Sequence, residues 1–225
     1  MPFLHPIFII AILIALSVHE WAHAFAANRL GDPTAEQQGR LTLNPIAHLD
    51  PLGTLLFLLI GFGWGKPVPI DPRYFRRPRR DAAIVALAGP LSNFFLAALC
   101  FTVLVVMAPR GVAASVWGLL DFSLQGPLLR AFTWQLLSSS LFLNLGLMAF
   151  NLLPVAPLDG SKILGAVIPA RYDDPYEQFL QWGPWILLFL LLGERLLGMT
   201  LLADWIGGMM NAVLGAFQTV AALVV

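Results

Sequence analysis

The sequence predicts an all-α polytopic membrane protein of about five transmembrane helices, with a re-entrant or interfacial segment and short β-strands between the first and second spans. Three observations predict it. Of the 225 residues, 58% are hydrophobic and 12% charged, and the mean hydropathy of +0.78 lies well above that of a soluble domain. Apolar runs long enough for about 30 Å of hydrocarbon recur along the chain. Cations gather in one connecting region. The formal charge is zero, so no nucleic-acid partner is expected. The single cysteine, Cys100, can form neither an internal disulfide nor a thiolate metal cage.

The first run covers about 4–27. It has no basic stretch before it and is interrupted by His19, Glu20 and His23, so it is expected to stay as a helix and not to be cleaved as a signal peptide. Residues 52–64 are shorter and hold three glycines, which suits a segment that dips into the bilayer without crossing it. Beside it, "RLTLNP" and "KPVPIDP" alternate with period 2 and carry prolines, as short edge-type strands do. Runs at 82–108 and 132–153 supply the second and third spans. A C-terminal helical pair follows at about 179–193 and 199–224, its first member, at about 15 residues, short for a span. With no repeat, low-complexity tract or linker, residues 1–225 read as one domain: a core at about 4–169 and the C-terminal pair at about 176–225.

Cations orient these elements. Arg29, Arg40, Lys66, Arg73, Arg76, Arg77, Arg79 and Arg80 lie between the first and second spans, against only Arg110 and Arg130 in 109–130. The excess places 28–81 in the cytoplasm and 109–130 outside.

"HEWAH", residues 19–23, carries the chemistry. Residues four apart stack on one helix face, so His19 and His23 project together, with Glu20 about 100° around. Two imidazoles can then share a zinc while the carboxylate takes a proton from its water. Burying ionisable groups in mid-helix costs about 2.5–3.5 kcal/mol and needs a return of this kind. Ala15, Ala22 and Ala26 lie near the same face and let another backbone approach. A tetrahedral zinc with one open position needs a third protein ligand. The candidate is Asp159 in "NLLPVAPLDG", the only acid between Asp121 and Asp173, where Pro154 and Pro157 break a helix and Gly160 can turn the chain. An ordinary helix-capping aspartate is the alternative.

Together with "AGPLSN" at 88–93, these motifs resemble the site-2 protease family of intramembrane zinc metalloproteases, in order and context, across about residues 10–165. The resemblance implies one zinc held by His19, His23 and Asp159, Glu20 as catalytic acid/base, and Asn151 and Asn93 as polar groups that hold the substrate backbone or its oxyanion. It implies single-span membrane proteins as substrates, cut in the lipid bilayer of a prokaryotic cell membrane by a multi-pass protein whose active site faces the cytoplasm. Ser161 departs slightly from the pattern after the Asp-Gly pair, and no PDZ-like insertion separates the motifs.

The zinc reading sets a topological condition. His19 and His23 meet Asp159 at one depth if 82–108 goes out, 132–153 returns and 52–64 does not cross. A transporter or channel using the buried His and Asp is the competing function, but it calls for ionisable residues in several spans, and here they are nearly confined to two motifs. A peptidase with a downstream Glu or His as third ligand fits less well: no histidine follows His48, and Glu177 and Glu194 lack a partner motif. An inactive zinc-binding scaffold stays open. His48 reads as a loop histidine, His5 as interfacial, the arginines at 73–80 as headgroup contacts, and the tryptophans as interface anchors. Segments 37–43 or 66–71 offer an edge on which an unwound substrate could add as a strand.

Overall fold

Helix forms along the apolar runs, and proline or glycine marks several of its ends, while Pro90 and Pro184 lie within helices. The structure, a computed structural model, describes residues 4–61, 63–108, 120 and 127–222. Most of the expected outward loop, with Arg110, therefore lies outside the described residues. Helix α1 (Pro6–Arg29) opens with Pro6 in its first turn, where a missing N–H is no loss. It ends as Gly31 takes φ +105°. After the single turn of α2 (Thr34–Gln37) and a 3₁₀ turn at Pro45–His48 comes α3 (Pro51–Ile60), capped by Asp50, whose side chain accepts from Gly53 N at 2.8 Å. The long helices α4 (Pro78–Met107) and α5 (Leu128–Asn151) follow, then the short α6 (Asp159–Val167) and the C-terminal pair α7 (Asp173–Leu197) and α8 (Leu201–Ala222).

At ten residues α3 is about 15 Å long. An antiparallel bridge between Leu49 and Gly65, with Lys66 N donating to His48 O at 2.8 Å, joins the two ends of this excursion. The two ends of the segment thus lie side by side. Its limbs touch through glycine: a Cβ on Gly53 would lie 2.9 Å from Trp64 N.

The expected strands at "RLTLNP" and "KPVPIDP" do not form; among the described residues that single bridge is the only β pairing. Pro45, Pro67 and Pro69 have no N–H to give a ladder. Side chains fasten the loop to backbone instead. The fully buried Asp32 accepts from Thr34 N at 2.9 Å and Asp71 N at 2.8 Å. Arg40 donates to Lys66 O at 2.5 Å, and buried His48 donates through Nε2 to Thr42 O at 2.7 Å, a loop-bracing role. In the same loop, Arg73 lies 2.6 Å from Asp71 and holds its carboxyl below the usual carboxylate range. Ala35 and Val68 pack on Ala24, and Phe75 on Ala27, so the chain through 64–70 is laid along α1.

Helices α4, α5 and α8 share the main core, where Leu104, Trp134, Leu141 and Leu145 are fully buried with Met210 and Leu214 beside them. Trp205 Nε1 donates to Ala149 O at 2.8 Å and seats α8 on α5. The run expected at 179–193 extends at both ends into a 25-residue helix, because the polar turn from Asp173 to Gln178 is helical too. Arg79 does more than meet headgroups: it donates to Gly165 O and, at 2.7 Å, to Ile168 O, and it pairs with Asp173 at 2.8 Å. It thereby ties the C-terminal end of α6 to α4 and α7.

Candidate metal centre

Three buried atoms from two distant segments converge. Nε2 of His19 and Nε2 of His23 lie 3.0 Å apart, and Oδ2 of Asp159 lies 3.3 Å from the first and 3.2 Å from the second. The i,i+4 spacing on α1 supplies the imidazoles, as the sequence requires. Asp159 arrives on the first turn of α6, where a carboxylate suits the positive end of the helix. It stands inside the helix and not at the N-cap, which is Leu158, and its Oδ2 has no hydrogen-bond partner. Gly160 does not turn the chain, since its φ is not positive. Its missing side chain matters instead: a Cβ there would lie 2.6 Å from the carbonyl carbon of Leu152, so α6 could not start this close to the end of α5.

The outer nitrogens fix what the inner ones can do. Nδ1 of His23 lies 2.7 Å from Val85 O, a carbonyl that can only accept, so Nδ1 donates. Nδ1 of His19 lies 2.6 Å from Oδ1 of Asn93, whose Nδ2 donates to Ala15 O at 3.2 Å and to Asn144 Oδ1 at 2.7 Å. In its neutral form each imidazole then points an Nε2 lone pair inward. Two lone pairs and a carboxylate oxygen, with no hydrogen among them, repel unless a cation lies between. A tetrahedral ion with bonds of about 2.0–2.1 Å keeps neighbouring ligand atoms roughly 3.3 Å apart, close to the spacing found. The donor set, two nitrogens and an oxygen, is one that zinc takes.

The "AGP" turn of α4 makes room for the pair. Pro90 lies inside α4 and removes one helical N–H, while Gly89 bares the backbone beneath the imidazoles. A Cβ on Gly89 would lie 2.5 Å from Cε1 of His23 and 2.6 Å from Cε1 of His19, so any side chain there would displace both rings.

A cleft of about 430 Å³ opens on this group, lined by Glu20, Asn151, Lys162 and the loop wall at Trp64, Pro67 and Ile70. Glu20 is 9% exposed and faces the same space. Asn151, which lines the cleft, gives one Nδ2 hydrogen to Leu147 O at 3.0 Å. Asn93 does not face the cleft. It is fully buried with both amide hydrogens used inside the protein. An apolar cavity of about 340 Å³, walled by Ile9, Leu13, Phe57 and Leu58, adjoins the cleft across Leu16, Trp64 and Leu147. Sequence reasoning missed Gly89, Asn144 and Lys162. The i,i+3 spacing of Lys162 from Asp159 was a signal for the last, whereas nothing local marks Asn144.

Comparison with known proteins agrees with this chemistry. The family model described as peptidase family M50 matches residues 7–193. The chain is 38% identical over 220 residues to "Putative zinc metalloprotease YwhC" of Bacillus subtilis, covering 96% of this chain and 93% of the relative. It is 31% identical over 190 residues to "Putative zinc metalloprotease Rip2" of Mycolicibacterium smegmatis, covering 82% of this chain and 66% of that protein. Rip2 of Mycobacterium tuberculosis H37Rv is 30% identical over 193 residues. No solved structure matches the chain.

Proposed function

The chain belongs to peptidase family M50, and from that membership we propose that it is an intramembrane zinc metalloprotease whose centre is His19, His23 and Asp159, with Glu20 as acid/base. One observation carries the assignment of the centre: Nε2 of His19, Nε2 of His23 and Oδ2 of Asp159, all on buried residues, converge to within 3.0–3.3 Å of one another, and that Oδ2 has no hydrogen-bond partner. Zinc held there supplies Lewis acidity, polarising a peptide carbonyl and lowering the pKa of water toward about 7.

The chain's own residues do the rest. Glu20 accepts the proton of the attacking water and returns it to the departing amine. Asn151 offers its other amide hydrogen to the oxyanion and its oxygen to a substrate N–H. Asn93, its hydrogens spent, holds the ring of His19 and does not touch substrate. Beyond the bridge at Gly65 and the bonds of Lys66, the wall at 67–70 offers backbone to a peptide that must be unwound before attack. The apolar cavity beside it suits a bulky aliphatic side chain of that peptide.

The membrane reading is that α1, α4, α5, α7 and α8 cross the bilayer and α3 does not. Helices of 22 to 30 residues reach about 33–45 Å, enough for hydrocarbon about 30 Å thick. Among them α1 and α4 are each long and apolar enough to cross, whereas α5 carries Gln135, Ser138, Ser139, Ser140 and Asn144. Exposed Phe95, Leu99 and Val106 on α4 and Trp182, Trp185 and Phe189 on α7 give outer faces that suit lipid better than water. The cation-rich 28–81 region supports a centre toward the cytoplasmic surface.

The purified protein should hold one zinc per chain and cleave single-span reporters in a chelator-sensitive manner; protein that takes up no zinc and cuts no reporter would reject the assignment. Gly89→Ala provides a second check. Its methyl group would sit closer to both imidazoles than carbon contacts allow, and a displacement of about 1 Å costs on the order of 100-fold in rate. Zinc titration and reporter kinetics should both show the loss.

A further inference from the structure

We propose that Asn144 is a positioning residue for His19: acting through Asn93, it selects the imidazole tautomer that leaves Nε2 free to hold metal. This rests on the metal centre proposed above. Direction enters at two carbonyls that can only accept, Ser140 O at 2.7 Å from Asn144 and, at the longer distance of 3.2 Å from Asn93, Ala15 O. Nδ2 of Asn144 faces Ser140 O and so must donate, which turns Oδ1 of Asn144 toward Nδ2 of Asn93, 2.7 Å away. The other Nδ2 hydrogen of Asn93 goes to Ala15 O at 3.2 Å. Oδ1 of Asn93 is thereby left facing Nδ1 of His19 at 2.6 Å. An oxygen there requires hydrogen on Nδ1, and in the neutral ring that leaves the lone pair on Nε2.

Each link admits one orientation only. Reversing the amide of Asn144 would set oxygen against Ser140 O and N–H against N–H of Asn93. Reversing Asn93 would set oxygen against Ala15 O and against Asn144, and would offer His19 a donor where it now finds an acceptor. The ring would answer by carrying its hydrogen on Nε2, pointed at Asp159 and His23. Asn93 and Asn144 are both fully buried, so bulk water does not substitute for a missing partner. The relay thus carries the polarity of one α5 carbonyl across α4 to a metal-facing nitrogen on α1.

A merely structural asparagine would glue the helices without affecting the tautomer, and the test reads that difference. Metal-free protein labelled with ¹⁵N-histidine gives the tautomer of His19 by NMR, and chelator competition gives the zinc affinity. Wild type should show hydrogen on Nδ1. Asn144→Leu should show mixed tautomers and bind zinc 10–100-fold more weakly, the size of effect that outer partners of metal-bound histidines have. Should Asn144→Leu not fold, Asn144→Ser, too short to span both partners, carries the same expectation. Asn144→Asp should restore wild-type behaviour, since a buried carboxylic acid keeps an O–H for Ser140 O and an oxygen for Asn93. Leu141→Ala, a core cavity on the same helix, should lower Tm and leave both readouts unchanged. Wild-type tautomer and affinity in the Leu or Ser variant, or an equal loss in Leu141→Ala, would overturn the relay. Wild type that binds no zinc would overturn the metal centre instead, while the tautomer measurement still decides the relay.

Discussion

Glu20→Gln should leave one zinc per chain in place and reduce cleavage of a membrane-embedded reporter by about 10²–10⁴-fold, the usual contribution of a positioned general acid/base. Zinc content is unaffected because Glu20 is not among the three converging atoms, which come from His19, His23 and Asp159. Shape is kept, because Gln fills the same volume beside the cleft. What is lost is the ability to take a proton: an amide oxygen is too weak a base to hold one while the amine departs. The residual rate measures what polarisation and positioning achieve alone. Metal analysis and reporter kinetics on the same preparation check both halves, and a variant with full activity would remove Glu20 from the chemistry.

The two halves of the centre were not equally legible in the sequence. His19, Glu20 and His23 are local: helical geometry alone decides which face they share, so their spacing carries the information. Asp159 is 136 positions beyond His23, and sequence reached it through scarcity of acids and family likeness, not through geometry. Asn93 shows where such reading stops. Its position in "AGPLSN" marks it as significant, but whether an amide faces substrate or protein depends on which carbonyls surround it. Here Ala15 O and Asn144 take both its hydrogens. Asn144 could not have been found at all, since one asparagine in a serine-bearing span has many mundane uses.

The fold divides in a similar way. Long apolar runs became helices because in apolar surroundings their backbone groups must pair within the segment, with Pro90 and Pro184 the interruptions tolerated inside them. The stretch between α1 and α4 misled, because alternation records where side chains point and says nothing of whether N–H groups exist to pair. With Pro45, Pro67 and Pro69 in place, "RLTLNP" and "KPVPIDP" are extended or bent chain held by Asp32, Arg40 and His48. On the function proposed above, that outcome leaves the backbone of 67–70, beyond the bridge at Gly65 and the bonds of Lys66, for a guest peptide, whereas a closed hairpin would have used it.

Asp159→Asn should abolish zinc binding while the protein stays folded, with thermal melting as the readout. The substitution changes almost no volume and leaves α6 anchored by Arg79 and by Tyr176, whose hydroxyl donates to Ser161 O. Chemically it reverses the site. Where Oδ2 of Asp159 now adds a third acceptor to the two Nε2 lone pairs, an amide can rotate to place N–H groups against them at the same 3.2–3.3 Å. The imidazoles are then satisfied by the protein itself and have nothing left for a cation, while the negative charge that helps draw one in is gone. Ligand that binds only the folded state raises stability by about 4 kcal/mol at a thousandfold excess over Kd. Wild type should therefore melt several degrees higher with zinc than without it. The Asn variant should melt at one temperature in both conditions and cleave nothing. A zinc-dependent shift of wild-type size in Asp159→Asn would mean that the third ligand lies elsewhere.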